Sequence, residues 1–415
     1  MTDSALTERS PSARSGPSRL PARMSAAIVV DGVGTGMFLP FSVLFFVHVA
    51  KLPVAEVGAC LTGASLLALP TPMVTGPLVD RFGPLPLVVA GNVLGALGYA
   101  VYPWVGGAWQ LVAAAFLTAC GQSVFWTANT VLIARAASPQ ARAGWFARQS
   151  AARNAGYGLG ALAGAGVVVA DSRTAYLLLA AVNAASCLAA AALFRLSPLD
   201  RAARQERQDD APTAHGSYRT VLRQRNLLLL TAAGFGLVLC MNVLPVLLTS
   251  YLTKVLGRWV FLGGLAVTAN TVIVVVAQTW VTGRVRHRAP VRVVQAAALA
   301  WAAAFLCLWA PAVVPWWVAA PCLLVAVAAL TLAEMLYGPT VNALAAQIAP
   351  AGAEGRHLAV FQLSWSVGSA LAPAALTGLL SAGPERLWAV LLGVCAVCAA
   401  ALGPIPATRP AAPPP

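Results

Sequence analysis

Charged residues are scarce in this sequence, and carboxylates are the scarcest of them. The 415 residues include 13 Asp and Glu against 27 Lys and Arg, and only 10% of all positions are charged. A water-soluble domain usually has about a quarter of its residues charged, so this composition excludes an ordinary soluble protein. Because 59% of the residues are hydrophobic, the composition predicts a protein that crosses a lipid bilayer many times.

Patterns for nucleotide hydrolysis, metal binding and nucleic-acid recognition are also missing. No Gly-x-x-x-x-Gly-Lys-Ser/Thr loop occurs. The eight cysteines fall inside apolar runs, where we interpret them as small buried side chains. The net charge of +14 comes from basic residues bunched between apolar runs, which encodes membrane topology rather than nucleic-acid binding. We therefore expect no enzyme activity, no cofactor, no metal and no nucleic-acid partner.

Hydrophobic residues form twelve runs, each long enough to cross a bilayer as a helix. The first six runs cover residues 24–47, 57–74, 85–105, 109–134, 151–170 and 175–194. The other six cover residues 226–252, 259–282, 291–310, 314–346, 357–381 and 387–402.

This pattern predicts two six-helix bundles with polar segments around them. The N-terminal bundle covers residues 24–194, a cytoplasmic linker covers 195–225, and the C-terminal bundle covers 226–403. Residues 1–23 are predicted to be a disordered cytoplasmic tail, and residues 404–415 a Pro-rich cytoplasmic tail. With both termini inside, most of the 27 Lys and Arg fall on cytoplasmic segments, as the positive-inside rule requires. We predict a multi-pass protein of the plasma (inner) membrane.

A charged turn between the second and third runs carries a recognisable motif. It reads Gly76-Pro-Leu-Val-Asp80-Arg81-Phe-Gly83, and it resembles the loop between helices 2 and 3 of major facilitator superfamily transporters. The two basic positions that usually follow are occupied by Pro84 and Leu85 here. The resemblance implies an all-α membrane protein with twelve transmembrane helices in two pseudo-symmetric bundles. It also implies alternating access around a midplane site.

The two halves of the chain share a similar order of features, as a duplicated unit would. Residues 38–40 (Phe-Leu-Pro) align with residues 243–245 (Val-Leu-Pro), and the Asp80–Arg81 loop aligns with a degraded copy at residues 283–286. Preserved order supports duplication of a six-helix unit.

Asp31 and Glu334 are the two acids that fall inside apolar runs. Ionisable groups in a membrane are costly and therefore informative. The resemblance places helices 1, 4, 7 and 10 around the central cavity, so both acids would face the substrate path. Asp31 is a candidate carrier of protons or cations, or else a structural ion-pair partner of Arg153. Glu334, with Tyr337 about one turn away, is a candidate cation site, or else a protonated side chain bonded to a neighbouring helix.

Polar and aromatic side chains of helices 4 and 7 complete the candidate site. Gln122, Trp126 and Asn129 share one face of helix 4, and Asn242 lies on helix 7. These side chains either line the cavity or connect packed helices.

Gating residues are expected at the cytoplasmic surface. The resemblance implies that Asp80 faces the positive N-terminal end of helix 11 and locks the bundles, with Arg81 in a charge network. A solvated turn is the alternative. Arg153 opens a glycine-rich stretch in helix 5, which predicts either close contact with the other bundle or a simple packing seam.

These features favour proton-coupled efflux of small hydrophobic or cationic compounds by a secondary active transporter. The alternatives are an importer of a small organic solute and a non-transporting membrane scaffold or sensor. The expected partners are a small-molecule substrate, protons and the lipid bilayer, and the expected state is a monomer.

Overall fold

The computed structural model describes most of the chain. The described residues are 21–170, 172–197, 217–248, 250–252, 260–309, 316–350 and 352–406. The predicted N-terminal tail, most of the predicted linker and most of the Pro-rich tail lie outside them.

The described residues fold into helices. In the first half these are α1 Ala22–Phe38, α2 Ser42–Val49, α3 Val54–Leu67, α4 Thr71–Phe82, α5 Pro84–Val101, α6 Ala108–Ala136, α7 Arg142–Val168 and α8 Arg173–Arg195. In the second half they are α9 Tyr218–Val221, α10 Arg225–Met241, α11 Val260–Val285, α12 Pro290–Trp309, α13 Trp316–Gln347, α14 Glu354–Ser381 and α15 Pro384–Ala401. The protein is an all-α membrane protein, as predicted.

Ten spans among the described residues are long and apolar enough to cross a membrane, and a bent pair brings the number to 11. The bent pair is α3 and α4, which meet at an angle of 41°. The remaining predicted span is α7, whose 27 residues are long enough but carry Arg142, Arg148 and Arg153. The three arginines lie in its first half, and its second half exposes apolar side chains such as Leu159 and Leu162.

The helices pack as two bundles, which we call the N-terminal bundle (α1–α8) and the C-terminal bundle (α10–α15). In the N-terminal bundle α1 packs on α7 and α8, and α5 packs on α6 and α8. In the C-terminal bundle α12 packs on α13 and α15, and α10 packs on α14. Two helix pairs, α4–α14 and α7–α11, make the main contacts between the bundles, and α13 also packs on α7.

The aligned prolines of the two halves both mark a break in a helix. Leu39–Phe41 form a 3₁₀ turn between α1 and α2, and Val243–Leu247 form a π-helical turn after α10. Proline removes a backbone donor and clashes with the preceding turn, so the helix cannot continue regularly.

Glycines bring the backbones of α1 and α7 into direct contact. A Cβ atom on Gly32 would lie 3.2 Å from the Cα atom of Gly156, and one on Gly160 would overlap the carbonyl oxygen of Val33. Of the two alternatives for this stretch, a packing seam fits most of it, since Gly156 and Gly160 face α1. Gly158 approaches the other bundle: a Cβ atom added there would lie 3.4 Å from the Cγ2 atom of Thr271. The stretch is mainly a packing seam within the N-terminal bundle.

Candidate functional site

Asp31 lies in the middle of α1 and faces other helices of its own bundle. The Cys187 thiol of α8 donates a hydrogen bond to its Oδ1 atom, with the sulfur 3.7 Å away. The carboxylate lines a narrow crevice together with Asn92, Gln122 and Tyr99. All the walls of this crevice belong to the N-terminal bundle, whereas we expected Asp31 to face a path shared by both bundles.

Glu334 lies in α13 of the C-terminal bundle and has one firm hydrogen-bond donor. The Nδ2 atom of Asn270 in α11 is 2.9 Å from its Oε2 atom, and the same nitrogen lies 3.2 Å from Thr331 Oγ1. A hydrogen bond to an ionised acceptor contributes about 1.5–3 kcal/mol. The carboxyl group is therefore fixed in position by a neutral neighbour on an adjacent helix.

Arg153 of α7 supplies positive charge to both acids. Its guanidinium carbon lies 4.5 Å from the ring centroid of Trp126 and 5.5 Å from that of Tyr157. Asp31 and Glu334 are both within electrostatic range of this cation. Among the described side chains, however, Arg153 forms no direct ion pair with either acid. The expected Asp31–Arg153 pair is thus a longer-range attraction, with the cation held on aromatic rings.

The rest of the predicted lining divides into two groups. Gln122 joins the cluster, because its Oε1 atom accepts a hydrogen bond from Trp126 Nε1 at 3.1 Å. Asn129 is fully buried in the core. Asn242 donates to the backbone oxygen of Val238 at the end of its own helix.

Tyr337 lies inside the C-terminal bundle. It is fully buried, with Trp301 and Trp365 against its ring at centroid distances of 5.3 and 5.7 Å. In this conformation Tyr337 therefore packs into the core of the C-terminal bundle.

A second cluster joins the bundles at the end that we call the Asp80 end, which contains Asp80, Arg135 and Glu354. Asp80 accepts hydrogen bonds from the backbone nitrogens of Gly355 (2.7 Å) and Arg356 (3.2 Å), in the first turn of α14. The Arg356 guanidinium adds an ion pair at 2.9 Å. The side chain of Asp80 is only 1% exposed, so these groups replace its water. A carboxylate at a helix N-terminus is favourable because the free amides there are positive.

Arg135 and Glu354 extend this cluster and were not singled out from the sequence. Arg135 Nη2 lies 3.1 Å from Glu354 Oε2 and 3.6 Å from Asp80 Oδ1. The two acids and Arg135 come from α4, α14 and α6, which are far apart in the chain. The signal available in the sequence was only their position at helix ends with opposite signs.

The motif predicted to form a turn is helical, since Gly76 and Arg81 lie within α4 and Gly83 ends that helix. A Cβ atom on Gly76 would lie 2.9 Å from the Cα atom of Arg356, so α4 and α14 approach closely there. Gly83 has a φ of 87° and joins α4 to α5, a conformation that favours glycine. Arg81 is exposed, with its guanidinium 5.2 Å from the ring of Phe82.

Tyr218 of α9 also packs against α4, next to the α4–α14 contact. Its hydroxyl donates to the backbone oxygen of Met73 in α4. Burial raises the pKa of Tyr218 to about 12, so the hydroxyl keeps its proton and remains a donor at neutral pH.

The fold and the two clusters define a class of protein. Buried ionisable side chains from two helical bundles, with the bundles joined by charges at one end, are features of a membrane transporter. A sequence profile of the Major Facilitator Superfamily matches residues 24–373. The chain belongs to this superfamily, and it is a secondary transporter rather than an enzyme.

Parts of the chain are similar to multidrug resistance proteins. The multidrug resistance protein MdtH of Edwardsiella ictaluri is 28% identical over 221 residues, which cover 51% of this chain and 52% of that protein. MdtH of Enterobacter sp. is 31% identical over 116 residues, covering 26% of this chain and 29% of that protein. The chain thus spans about a quarter to about a half of the length of these curated relatives.

Solved structures share the whole fold. The human organic anion transporter MFSD10 aligns with a TM-score of 0.69 at 17% identity, over 92% of this chain and 100% of that chain. The proton:xylose symporter XylE aligns with a TM-score of 0.70 at 15% identity, over 91% and 94%. At these identities the likeness is one of fold.

Proposed function

We propose that this transporter exports small hydrophobic or cationic compounds in exchange for protons, by alternating access of its two bundles. The observation that carries the proposal is the charge balance of the buried site. Two carboxylates, those of Asp31 and Glu334, lie within electrostatic range of one cation, Arg153. When both acids are ionised, the group has one negative charge too many.

That extra negative charge explains why a proton and a cationic substrate would exchange at the site instead of binding together. An uncompensated charge in a membrane interior is costly. One proton or one monovalent cation removes it, and the two occupants exclude each other because each neutralises the same charge. A proton that enters from one side therefore favours release of a cationic compound to that side.

Aromatic rings near the acids support a cationic substrate. Trp126 and Tyr157 already bind the guanidinium of Arg153 through their ring faces. Each such contact contributes about 0.5–2 kcal/mol, and a substrate cation can compete with Arg153 for these rings. The partial similarity to multidrug resistance proteins, at 28% to 33% identity, supports export over uptake.

The ion-pair cluster around Asp80 supports a gate that closes the cytoplasmic side of the transporter. In this proposal the Asp80 end faces the cytoplasm of the plasma (inner) membrane, with both termini on that side. Asp80, bonded to the first turn of α14, then holds the two bundles together on the cytoplasmic side. The described conformation would be closed to the cytoplasm, and breaking the Asp80 contacts would be part of opening.

Transport by the purified chain in proteoliposomes tests the proposal. A panel of cationic and neutral hydrophobic dyes is loaded, a pH gradient is imposed, and efflux rates are measured for the native chain, Asp31→Asn and Glu334→Gln. We expect each substitution to lower gradient-driven transport at least tenfold. Glu385→Gln is the matched control, because it removes an exposed acid from the first turn of α15, and we expect its rate to stay within twofold.

Three outcomes would overturn the proposal. Transport of a dye that continues after the gradient is collapsed rules out proton coupling. Accumulation with the proton gradient, instead of against it, indicates an importer. A folded, monodisperse protein that moves no compound in the panel favours a scaffold or sensor.

A further inference from the structure

A cleft lies between the bundles where α7 and α11 meet. The space between its walls is about 610 Å³, a figure that includes the open solvent at its mouth. Gln140 and Arg142 line it from the N-terminal bundle, and Thr282, Arg286 and Arg288 line it from the C-terminal bundle. The buried site of Asp31 and Glu334 does not include any of these residues.

Positive charge in this cleft is not balanced by its lining. Three arginines contribute to the lining, and no described lining residue is an acid. The N-terminus of α7 adds to the charge, since it begins at Arg142 and its N-cap residue, Ala141, provides no side-chain cap. Like charges held together in a cleft repel one another unless an anion is present.

Arg142, the deepest of the three, has an unmet hydrogen-bonding group. Its Nε atom is buried and has no partner in the described structure, and its Nη1 atom donates to the Ala346 carbonyl at 3.3 Å. Glu354 is the acid in electrostatic range, but it already pairs with Arg135 at 3.1 Å and accepts from Gly352 N. A buried donor without a partner costs about 1–3 kcal/mol, so Arg142 favours an added acceptor.

Arg286 and Arg288, at the solvent-exposed opening of the cleft, also lack an acidic partner among the described lining residues. Arg286 donates from Nε to His287 Nε2 at 3.0 Å, a contact that brings no negative charge to the guanidinium. Arg288 is exposed on the turn before α12. Guanidinium groups bind phosphate oxygens in pairs of parallel hydrogen bonds.

Comparison with the α4–α14 pair shows that the α7–α11 cleft lacks, among its described lining residues, a carboxylate equivalent to that of Asp80. At the α4–α14 pair, the N-terminus of α14 receives the carboxylate of Asp80. At the α7–α11 pair, the N-terminus of α7 lines the same cleft as Arg286, which belongs to the repeat segment that aligns with the Asp80 loop, and Arg288, two residues further on. We propose that a phosphate-bearing anion, either the headgroup of an acidic phospholipid or inorganic phosphate, binds in this cleft and replaces the missing carboxylate. Because the cleft has walls from both bundles, the bound anion ties them together at the Asp80 end.

The test measures thermal unfolding of the purified full chain in a neutral detergent. Dioleoylphosphatidylglycerol is titrated against dioleoylphosphatidylcholine, and sodium phosphate against sodium chloride at equal ionic strength. A ligand that binds only the folded state raises the unfolding temperature with its concentration. We expect saturable stabilisation by phosphatidylglycerol or by phosphate, and none by the zwitterionic lipid or chloride. Stabilisation by phosphatidylglycerol alone identifies a lipid headgroup as the source, and stabilisation by both identifies a site for free phosphate.

Two matched double substitutions, each removing two arginines, test whether the anion binds in the cleft. The Arg286→Gln/Arg288→Gln pair should weaken the apparent affinity at least tenfold. The Arg284→Gln/Arg292→Gln pair removes the same charge from exposed positions that do not line the cleft, and it should change the affinity less than twofold. Gln140→Glu, an exposed substitution, puts a carboxylate at the cleft. It should raise the unfolding temperature without added anion and weaken the response to it.

The proposal is overturned if both arginine pairs weaken the response equally, because the anion then binds a diffuse basic surface. It is also overturned if no anion stabilises the native chain. Neither result depends on transport, so this proposal and the proposed efflux function can fail separately.

Discussion

Asp80 accepts a hydrogen bond of 2.7 Å from the backbone nitrogen of Gly355, a residue 275 positions further along the chain. The bond crosses from the N-terminal to the C-terminal bundle. It joins a single buried carboxylate to the first turn of α14, where Arg356 adds a guanidinium at 2.9 Å. The polar contacts of the α4–α14 pair therefore meet at one residue, Asp80, which makes them accessible to substitution.

Asp80→Asn should loosen the contact at the Asp80 end. The amide keeps an acceptor for Gly355 but loses the charge that pairs with Arg356, and a charge-assisted hydrogen bond contributes about 1.5–3 kcal/mol. About 1.4 kcal/mol changes an equilibrium tenfold, so opening should increase at least tenfold. The measurement is maleimide labelling of a cysteine introduced at Ala359, which is fully buried against Gly76.

Glu56→Gln is the control for this labelling experiment. Glu56 is an exposed acid in the first turn of α3, and its loss should leave the labelling rate unchanged. Equal labelling of Asp80→Asn and the native background would contradict a locking role for Asp80.

Gly76→Ala should separate α4 from α14 without changing charge. Its Cβ atom would lie 2.9 Å from Arg356 Cα and 2.8 Å from the Tyr218 hydroxyl. The main chain of α14 cannot yield locally, so we expect a loss of about 1–3 kcal/mol of stability. Thermal unfolding in detergent measures it. Gly63→Ala is the control, since a Cβ there meets nothing within 4 Å, and a melting temperature equal to that control would refute the close approach.

Gly160→Ala should damage the seam between α1 and α7. Its added methyl group would overlap the Val33 carbonyl oxygen and lie 2.8 Å from Met37 N, so the two helices must move apart. We expect a loss of folded protein larger than for Gly76→Ala, measured as the monodisperse fraction after purification. Gly166→Ala, on the same helix with nothing within 4 Å, should be neutral or slightly stabilising because alanine favours helix. Similar yields for the two variants would mean that the seam is looser than described.

Arg153→Lys and Arg153→Gln should separate charge from geometry at the buried site. Lysine keeps the positive charge but lacks the flat group that stacks on Trp126, so transport should fall less than tenfold and remain driven by the pH gradient. Glutamine leaves both carboxylates without their cation and should abolish gradient-driven transport. Arg195→Gln, at the exposed end of α8, is the control. Gradient-driven transport by Arg153→Gln at the native rate would contradict the charge-balance mechanism.

Much of the fold could be predicted from the sequence, because hydropathy and charge act locally. The predicted run at residues 291–310 matches α12 at Pro290–Trp309, and the run at 387–402 matches α15 at Pro384–Ala401. The helix that fits worst is α7, which starts at Arg142, well before the predicted run at residue 151. Its first turns are polar because they form the contacts between bundles, and hydropathy alone does not detect such a segment.

The candidate site was predictable only in part. Asp31 and Glu334 stood out because isolated acids in apolar runs are rare. Their partners did not, since the rotation and depth of each helix decide whether Cys187 or Asn270 reaches them. Asn129 shows the same limit. It shares a face with Gln122 and Trp126, but it lies deeper, where the surrounding helices bury it completely.

The touching main chains of α1 and α7 restrict how the three buried charges move. Asp31 and Arg153 lie beside Gly32 and Gly156, where the two helices are in backbone contact, so their separation is set by one rigid body. Glu334 belongs to the opposite body. When the bundles rock, the Asp31–Arg153 separation stays the same, and the separations that change are those from Glu334 to these two residues. In the proposed exchanger, Asp31 and Arg153 therefore move as one fixed pair, and the position of Glu334 relative to that pair differs between the inward-facing and outward-facing states.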